Sequence, residues 1–295
     1  MGKTNQYTFA RYEMKFLIPA ADCEPFRREM EKVFQLDQYG LSKILNIYYD
    51  TGSFDLVSRS LKKPNYKEKL RLRSYGVPTA DSPVFAELKK KVSGIVYKRR
   101  SEMTYREAER LLNRYAAPAA AVRGEMPGGA ADRGREVGLP LWEFPLPDTQ
   151  INRELRYVMD FYHPEPKMVL CYDREAFFLR RDPEVRLTID RNIRYRTEDL
   201  NLTHGDGGTV LDLDGGQLLE LKVAGAMPAD LSRMFARHRV YPVSFSKYGK
   251  IYETLYARGA NVWPQTMPYR TEQENLPCAA GWDNERRNRY VYQHT

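Results

Sequence analysis

Charge and hydrophobicity alternate with a period of two along much of this chain. In residues 69–73, Lys69, Arg71 and Arg73 share one parity and Leu70 and Leu72 the other. Successive side chains of a β-strand point to opposite faces, so the stretch predicts a strand with one cationic and one apolar face. That strand is expected over 66–75. Similar patterns predict strands over 8–18, 43–51, 84–91, from Ile95 to Arg100, and over 168–178, 184–191 and 218–223. Apolar residues at helical spacing predict helices over 21–35, 104–115, 151–163, 228–239 and 246–258. The first has Asp22 as N-cap, Pro25 in its first turn and a stripe of Phe26, Met30, Val33 and Phe34. In the second, Thr104 and Glu107 form a capping box. A short helix or turn is expected over 52–60. Further turns are expected between Pro78 and Pro83 and at Gly94.

The same mixture recurs on strand after strand. One parity carries Glu13 and Lys15, then Glu87 and Lys89, Lys98, Arg174 beside Tyr172, Arg186 and Asp190, and Glu220 with Lys222. A single such strand is best read as the wet face of an antiparallel sheet. Taken together, the charged parities hold more Arg and Lys than a solvated face needs. Helices with apolar stripes would cover the apolar side and leave the charged side to curl on itself. The fold class expected is therefore α+β: a closed antiparallel β-barrel with a charged lumen and helices outside, closure removing the strand edges. Residues 1–260 are expected to form one domain. Residues 116–150, dominated by Ala, Gly and Pro, read as an insertion or mobile loop within it, and 261–295 as an irregular tail.

Composition narrows the partner. The 295 residues carry a net charge of +8, which favours anions. Cations facing one another across a lumen repel strongly, so something anionic must enter. Phosphate chains fit, because Arg offers a bidentate fork and Lys a compact charge. The interspersed carboxylates could hold the cations or bind a divalent metal. Duplex nucleic acid would want an exposed basic stripe, and no specific nucleic acid is expected. Cys23, Cys171 and Cys278 lack metal-ligand spacing and read as free thiols of a reducing compartment. With no apolar run long enough for a signal peptide or membrane span, the expected location is the cytoplasm. Asp190 reads as a partner for an Arg, Lys90 as solvent-facing, Arg99 and Arg100 as surface cations, and Cys171 as core. The four histidines receive no role.

Several motifs occur in order: Glu13-x-Lys15, IYYDT at 47–51, Lys69-x-Arg71-x-Arg73, Glu87-x-Lys89, KRR at 98–100, Tyr172-x-Arg174, Arg186-x-Thr188-x-Asp190, Glu220-x-Lys222 and SKY at 246–248. Together, over roughly residues 8–258, they resemble the catalytic domain of the VTC-type polyphosphate polymerases in its bacterial standalone form. That family belongs to the triphosphate tunnel metalloenzymes, or CYTH-like superfamily. The resemblance implies an eight-stranded tunnel through which phosphates thread. It implies phosphate ligands at Lys15, Arg71, Arg73, Lys89, Lys98, Tyr172, Arg174, Arg186, Ser246 and Lys247, and a metal carboxylate at Glu220. Lys69 and Lys222 join the phosphate-binding set by their strand position, and Glu13 is a second metal candidate.

The implied reaction is metal-dependent transfer of the terminal phosphoryl of a nucleoside triphosphate, expected to be ATP, onto polyphosphate or pyrophosphate, with Mn²⁺ or Mg²⁺. Arg71, Arg73, Arg174 and Arg186 would grip the donor. Lys89, Lys98 and Lys247 would guide the chain or neutralise developing charge. The hydrolytic branch of the superfamily typically has Glu-x-Glu-x-Lys where this chain has Arg11-x-Glu13-x-Lys15, which favours the polymerase reading. The alternatives are a tripolyphosphatase or nucleoside triphosphatase in the same tunnel, and a non-catalytic polyphosphate-binding module.

Overall fold

The computed structural model describes residues 12–92, 95–116 and 146–257, with side chains except at 112–116 and 257. The chain divides into two units, Met1–Thr254 and Leu255–Thr295, and the first holds the sheet. The expected turn at Gly94, most of the insertion at 116–150 and the tail at 261–295 lie outside the described residues.

The alternating stretches are strands: β1 Tyr12–Ile18, β2 Phe34–Asp50, β3 Tyr66–Tyr75, β4 Pro83–Val92, β5 Ile95–Thr104, β6 Glu165–Leu179, β7 Asp182–Arg196, β8 Thr209–Val210 and β9 Gln217–Val223. The helices are α1 Ala20–Val33, α2 Asp55–Leu61, α3 Tyr105–Ala116, α4 Gln150–Tyr162, α5 Ala229–Arg237 and α6 Lys247–Tyr252. One antiparallel sheet runs β1-β9-β7-β6-β2-β3-β4-β5, with β8 a short addition on β7.

Boundaries differ from expectation where local chemistry overrides the periodic pattern. Phe34 opens β2 instead of closing α1, and β2 is much longer than its sequence pattern. Its extension crosses an irregularity between Leu36 and Leu41, where Gly40 adopts φ +55°. The N-cap of α1 is Pro19 and has no side-chain hydrogen bond, so Asp22 lies inside the first turn and Pro25 inside the helix. The capping box of α3 is formed: Thr104 N–H donates to Glu107 Oε2 (2.8 Å) and Glu107 N–H to Thr104 Oγ1 (3.2 Å). Lys247–Tyr252 is a short α-helix continued by a π-helical turn over Glu253–Ala257.

The helices bury the apolar parity as anticipated. Leu45, Ile47, Leu70, Leu72, Leu88 and Cys171 form one core with residues of α3 and α4. Phe16, Phe177, Leu187, Leu219 and Leu221 form a second with α1 and α5, where Phe235 packs edge-on to Phe16 and Phe26. A third core lies on the opposite parity. Ile44, Met168, Leu170 and Leu218 pack there against Val57 of α2 and Tyr248 and Ile251 of α6. The charged face is thus charged only along part of its length; the remainder is plugged by two short helices.

Asp50 anchors this plug. Its buried carboxylate accepts the N–H groups of Leu56 (2.8 Å) and Val57 (3.0 Å), at the start of α2, and the hydroxyl of Tyr248 on α6 (3.1 Å). Burial nonetheless holds its pKa above the ordinary value, against these bonds.

The sheet is not a closed barrel, contrary to expectation. No ladder joins β1 to β5 among the described residues; these are its two ends. The free edge of β1 is instead covered by an irregular segment: Val243 N–H donates to Lys15 O (2.7 Å), and Phe16 forms an isolated bridge with Pro242. Proline has no N–H to extend that pairing. The charged face still curls, because Lys89 of β4 comes within 3.4 Å of Glu13 of β1.

Asp50→Ala removes a helix cap and an interhelix acceptor together. The unfolding free energy, measured by urea titration, is expected to fall by about 2–3 kcal/mol. An unchanged midpoint would refute the anchoring role.

Candidate active site

Antiparallel register brings the charged parities of separate strands into contact. Arg71 stands opposite Glu87, and Glu87 opposite Arg100; Arg174 stands opposite Asp190, Thr188 opposite Glu220, and Glu220 opposite Lys15. Two buried carboxylates become hubs.

The first hub is Glu87, 1% exposed. Arg71 donates to it through Nε (2.8 Å), with Nη2 at 2.7 Å. Lys98 lies at 2.8 Å, Arg100 at 3.2 Å and Arg73 at 3.8 Å. Burial alone would raise the Glu87 pKa, but Arg71, Arg73 and Lys98 outweigh it and hold it far below the usual range. Arg73 is oriented separately, by Asn46 Oδ1 (3.0 Å) and the Tyr172 hydroxyl (3.2 Å).

The second hub is Asp190. Arg174 donates to it bidentately (2.6 and 2.7 Å), and Lys247 joins from the start of α6 (2.5 Å). Burial would raise the pKa of Asp190, yet Arg174 and Lys247 bring it to about 2. Tyr172 lies beneath both cations, its ring centre 5.2 Å from the Arg174 guanidinium carbon and 4.3 Å from Lys247 Nζ.

Between these hubs Arg71 Nη1 also donates to Tyr48 Oη (3.1 Å), whose ring stacks on Tyr248 at 4.6 Å. Burial opposes ionisation of Tyr48, but Arg71 and Lys69 outweigh it, and the phenol is lowered to about 8. Lys69 donates to Ser246 Oγ (2.8 Å), and the same oxygen accepts Gly249 N–H to cap α6. Burial lowers the Lys69 pKa to about 8. Lys15 donates to Phe245 O (3.0 Å), and burial holds it below its ordinary value despite Glu220 and Glu13.

The sequence-predicted residues therefore fall into groups. Arg71, Arg73, Lys98, Tyr172, Arg174 and Lys247 converge on the two hubs. Lys15, Lys69 and Ser246 join them through the α6 entry. Lys222 pairs with Glu220 (2.8 Å), and Lys89 reaches Glu13. Arg186 stands apart: it is exposed, opposite Lys222, with its guanidinium 5.9 Å from the Phe178 ring centre. Ser246 is committed to capping and to Lys69.

Sequence reading missed Tyr48 and Asn46; Arg100 is exposed, as expected of a surface cation, but it also reaches Glu87 (3.2 Å). Arg100 shares the parity of Lys98 and stacks 3.7 Å from the Phe85 ring centre, whereas Arg99 faces outward to Glu154 (3.2 Å). Lys90 faces outward but is only partly exposed; Glu154 (3.2 Å) and Glu68 (3.7 Å) hold it. Asp190 does pair with an arginine, and Cys171 is core.

For a metal, the described residues hold no group of three or more His, Cys, Asp or Glu suited to bind it. Glu220 is the nearest to a fit. Its pKa lies well below the ordinary value because Lys222, Arg174 and Lys15 outweigh burial. Directly across the strand pair, the buried Thr188 hydroxyl has no hydrogen-bond partner among the described residues. A carboxylate and a hydroxyl, completed by phosphate oxygens, are the hard donors that Mg²⁺ or Mn²⁺ accept.

Lys69 supplies a test of this electrostatic picture. Its folded pKa lies below its ordinary one, so between about pH 8 and 10.5 the folded state binds fewer protons than the unfolded chain. This group's cost to stability is full below about pH 8 and disappears as pH rises through that window. Lys69→Met is expected to stabilise the protein at pH 7, and by less at pH 10, in paired urea titrations. A larger gain at pH 10 would contradict it.

Among the described residues no helix is long and apolar enough to cross a membrane. The chain resembles solved structures in outline only. A putative adenylyl cyclase from Hippeastrum, described as having a dominant triphosphatase activity, is 14% identical, with 85% of this chain and 97% of that one aligned at a TM-score of 0.41. The Schizosaccharomyces pombe Mediator head module gives 11% identity, coverage of 84% and 94%, and a TM-score of 0.37. No curated protein matches the chain. The model of the VTC domain family matches residues 10–256, which include both hubs and the α6 entry, and the chain belongs to that family.

Proposed function

We propose that this protein is a polyphosphate polymerase, moving the terminal phosphoryl of a nucleoside triphosphate, ATP for preference, onto a polyphosphate or pyrophosphate acceptor. The observation that carries the reading is the convergence of Arg71, Arg73, Lys98, Arg174 and Lys247 on one face around the buried carboxylates Glu87 and Asp190. These cations outnumber the carboxylates that hold them, leaving charge for an anionic ligand. Family membership over residues 10–256 supports a phosphate substrate.

Phosphoryl transfer asks the protein mainly for alignment and charge stabilisation. The bond between the terminal phosphorus and its bridging oxygen breaks, and an acceptor phosphate oxygen forms the new P–O–P link. The nucleoside diphosphate leaves with the electron pair. The acceptor is already an anion, so no general base is needed. Arg71 and Arg174 are held in fixed orientations by Glu87 and Asp190, which presents their guanidinium groups without reorganisation. Lys98 and Lys247 add charge beside them. Glu220, with Thr188 Oγ1 and a secondary role for Glu13, would hold Mn²⁺ or Mg²⁺. When bound, that ion neutralises charge on phosphate oxygens. Free Cys23 and Cys171 agree with a reducing, cytoplasmic setting.

Incubating the protein with ATP and Mn²⁺, with products resolved by chain length, tests the reading. Growth beyond triphosphate is expected, and Arg71→Ala should lower it by about 10²–10³-fold. Orthophosphate release without growth would make it a hydrolase. Phosphate binding without turnover would make it a binding module. Separately, Glu220→Gln should abolish most of the thermal stabilisation that Mn²⁺ adds to the tripolyphosphate-saturated protein. An unchanged increment would remove Glu220 from the metal site.

A further inference from the structure

Beside the Glu87 hub, the charged parity of β3, β4 and β5 carries rings as well as cations. Arg73 stands opposite Phe85 across β3 and β4, and Tyr75 is the next residue of Arg73's parity. Tyr75 packs edge-on to Phe85, with ring centres 5.8 Å apart. The Arg100 guanidinium carbon, from β5, lies 3.7 Å from the Phe85 ring centre and 5.6 Å from that of Tyr75. Its Nη2 donates to the Tyr75 hydroxyl (2.9 Å), and its Nε lies 3.2 Å from Glu87 Oε1. The group is open to solvent all the same: the Arg100 side chain is 36% exposed and Tyr75 52%. Burial would raise the Tyr75 phenol pKa, but Arg73 and Arg100 outweigh it and lower it.

Arg100 is redundant as a counter-charge, because Arg71 and Lys98 already lie 2.7 and 2.8 Å from Glu87. A lysine would serve the carboxylate as well. What arginine adds is a flat, weakly hydrated plane that stacks on rings. A phosphate would use the donor edge of that plane, and here the edge faces Glu87 and Tyr75. The exposed part of the plane is what Arg100 offers a ligand. Nucleobases stack on aromatic rings and on guanidinium planes, whichever base edge they carry. Arg100 and Arg71 also touch the same carboxylate, Glu87, so their guanidinium groups lie side by side. One nucleotide can therefore place a phosphate on Arg71 or Arg73 and its base on Arg100.

We infer that Arg100, stacked on Phe85 and hydrogen-bonded to Tyr75, is the shelf on which the base of the donor nucleoside triphosphate lies. The inference rests on the proposed donor and deepens it, since it fixes which end of the nucleotide faces β5. It concerns binding and is testable without turnover.

The test compares two ligands, a non-hydrolysable imido analogue of ATP and tripolyphosphate, which has no nucleoside. Affinities are measured for the wild type, Arg100→Lys, Phe85→Leu and Phe178→Leu, with urea midpoints confirming that each variant is folded. Arg100→Lys keeps the charge beside Glu87 and removes the plane. Phe85→Leu keeps an apolar side chain beneath Arg100 and removes the ring. Each should weaken the ATP analogue by at least about fivefold while tripolyphosphate changes less than about twofold. Should Phe85→Leu fail to fold, Arg100→Lys, at an exposed position, decides alone. Equal losses for the two ligands would mark a phosphate contact or a purely structural role and overturn the shelf. Unchanged affinity for the ATP analogue in Arg100→Lys would overturn it too. So would a loss specific to the ATP analogue in Phe178→Leu, the ring beside Arg186, in place of Phe85→Leu. Wild-type protein that binds tripolyphosphate but not the ATP analogue overturns the shelf and leaves the charged face as a phosphate site. Wild-type protein that binds neither overturns both.

Discussion

Cations packed side by side on one sheet face repel one another, and the buried carboxylates Glu87 and Asp190 are what hold them there. Each is 1% exposed, and each sits between strands so that its oxygens are shared among several cations. Removing a charge of this kind leaves its partners buried and unpaired, which costs far more than an exposed ion pair contributes. The arrangement trades stability for a face on which arginines are fixed before any ligand arrives.

The rest of the fold serves that face. Helices α1, α3, α4 and α5 cover the apolar parity, so the charged parity is left inward. The short helices α2 and α6 fill its other end with Val57, Tyr248 and Ile251, and Asp50 ties them together. This plug also completes the site, because the entry to α6 delivers Lys247 to Asp190 and Ser246 to Lys69. Lysines stand opposite one another on β3 and β4, Lys69 across from Lys89 and Lys67 across from Lys91, and Glu13 reaches Lys89 from β1.

Period-two patterning made most strands legible, since the parity of Lys69, Arg71 and Arg73 is a local property of the chain. The capping box at Thr104 and Glu107 was legible for the same reason. The extent of β2 was not: Phe34 also continues the helical stripe of Phe26, Met30 and Val33, and pairing with β6 decides its conformation. Arg100 and Arg99 are neighbours with opposite fates, one against Phe85 and one against Glu154, and only strand register separates them. Tyr48 and Asn46 carry no charge to mark them. Their roles come from the arginines that β3 places beside them.

By itself, the sequence determined which residues share a face, that the face is cationic, and that helices cover its reverse. Those properties follow from side-chain alternation and helical periodicity, which need no long-range information. Tertiary structure alone decided that the sheet stays open between β1 and β5, because Pro242 and Val243 occupy the edge that closure would need. It also decided which carboxylate neutralises which cation. Pairing energy depends on distance and burial, and residues as far apart in the chain as Lys247 and Asp190 acquire both only when the chain folds.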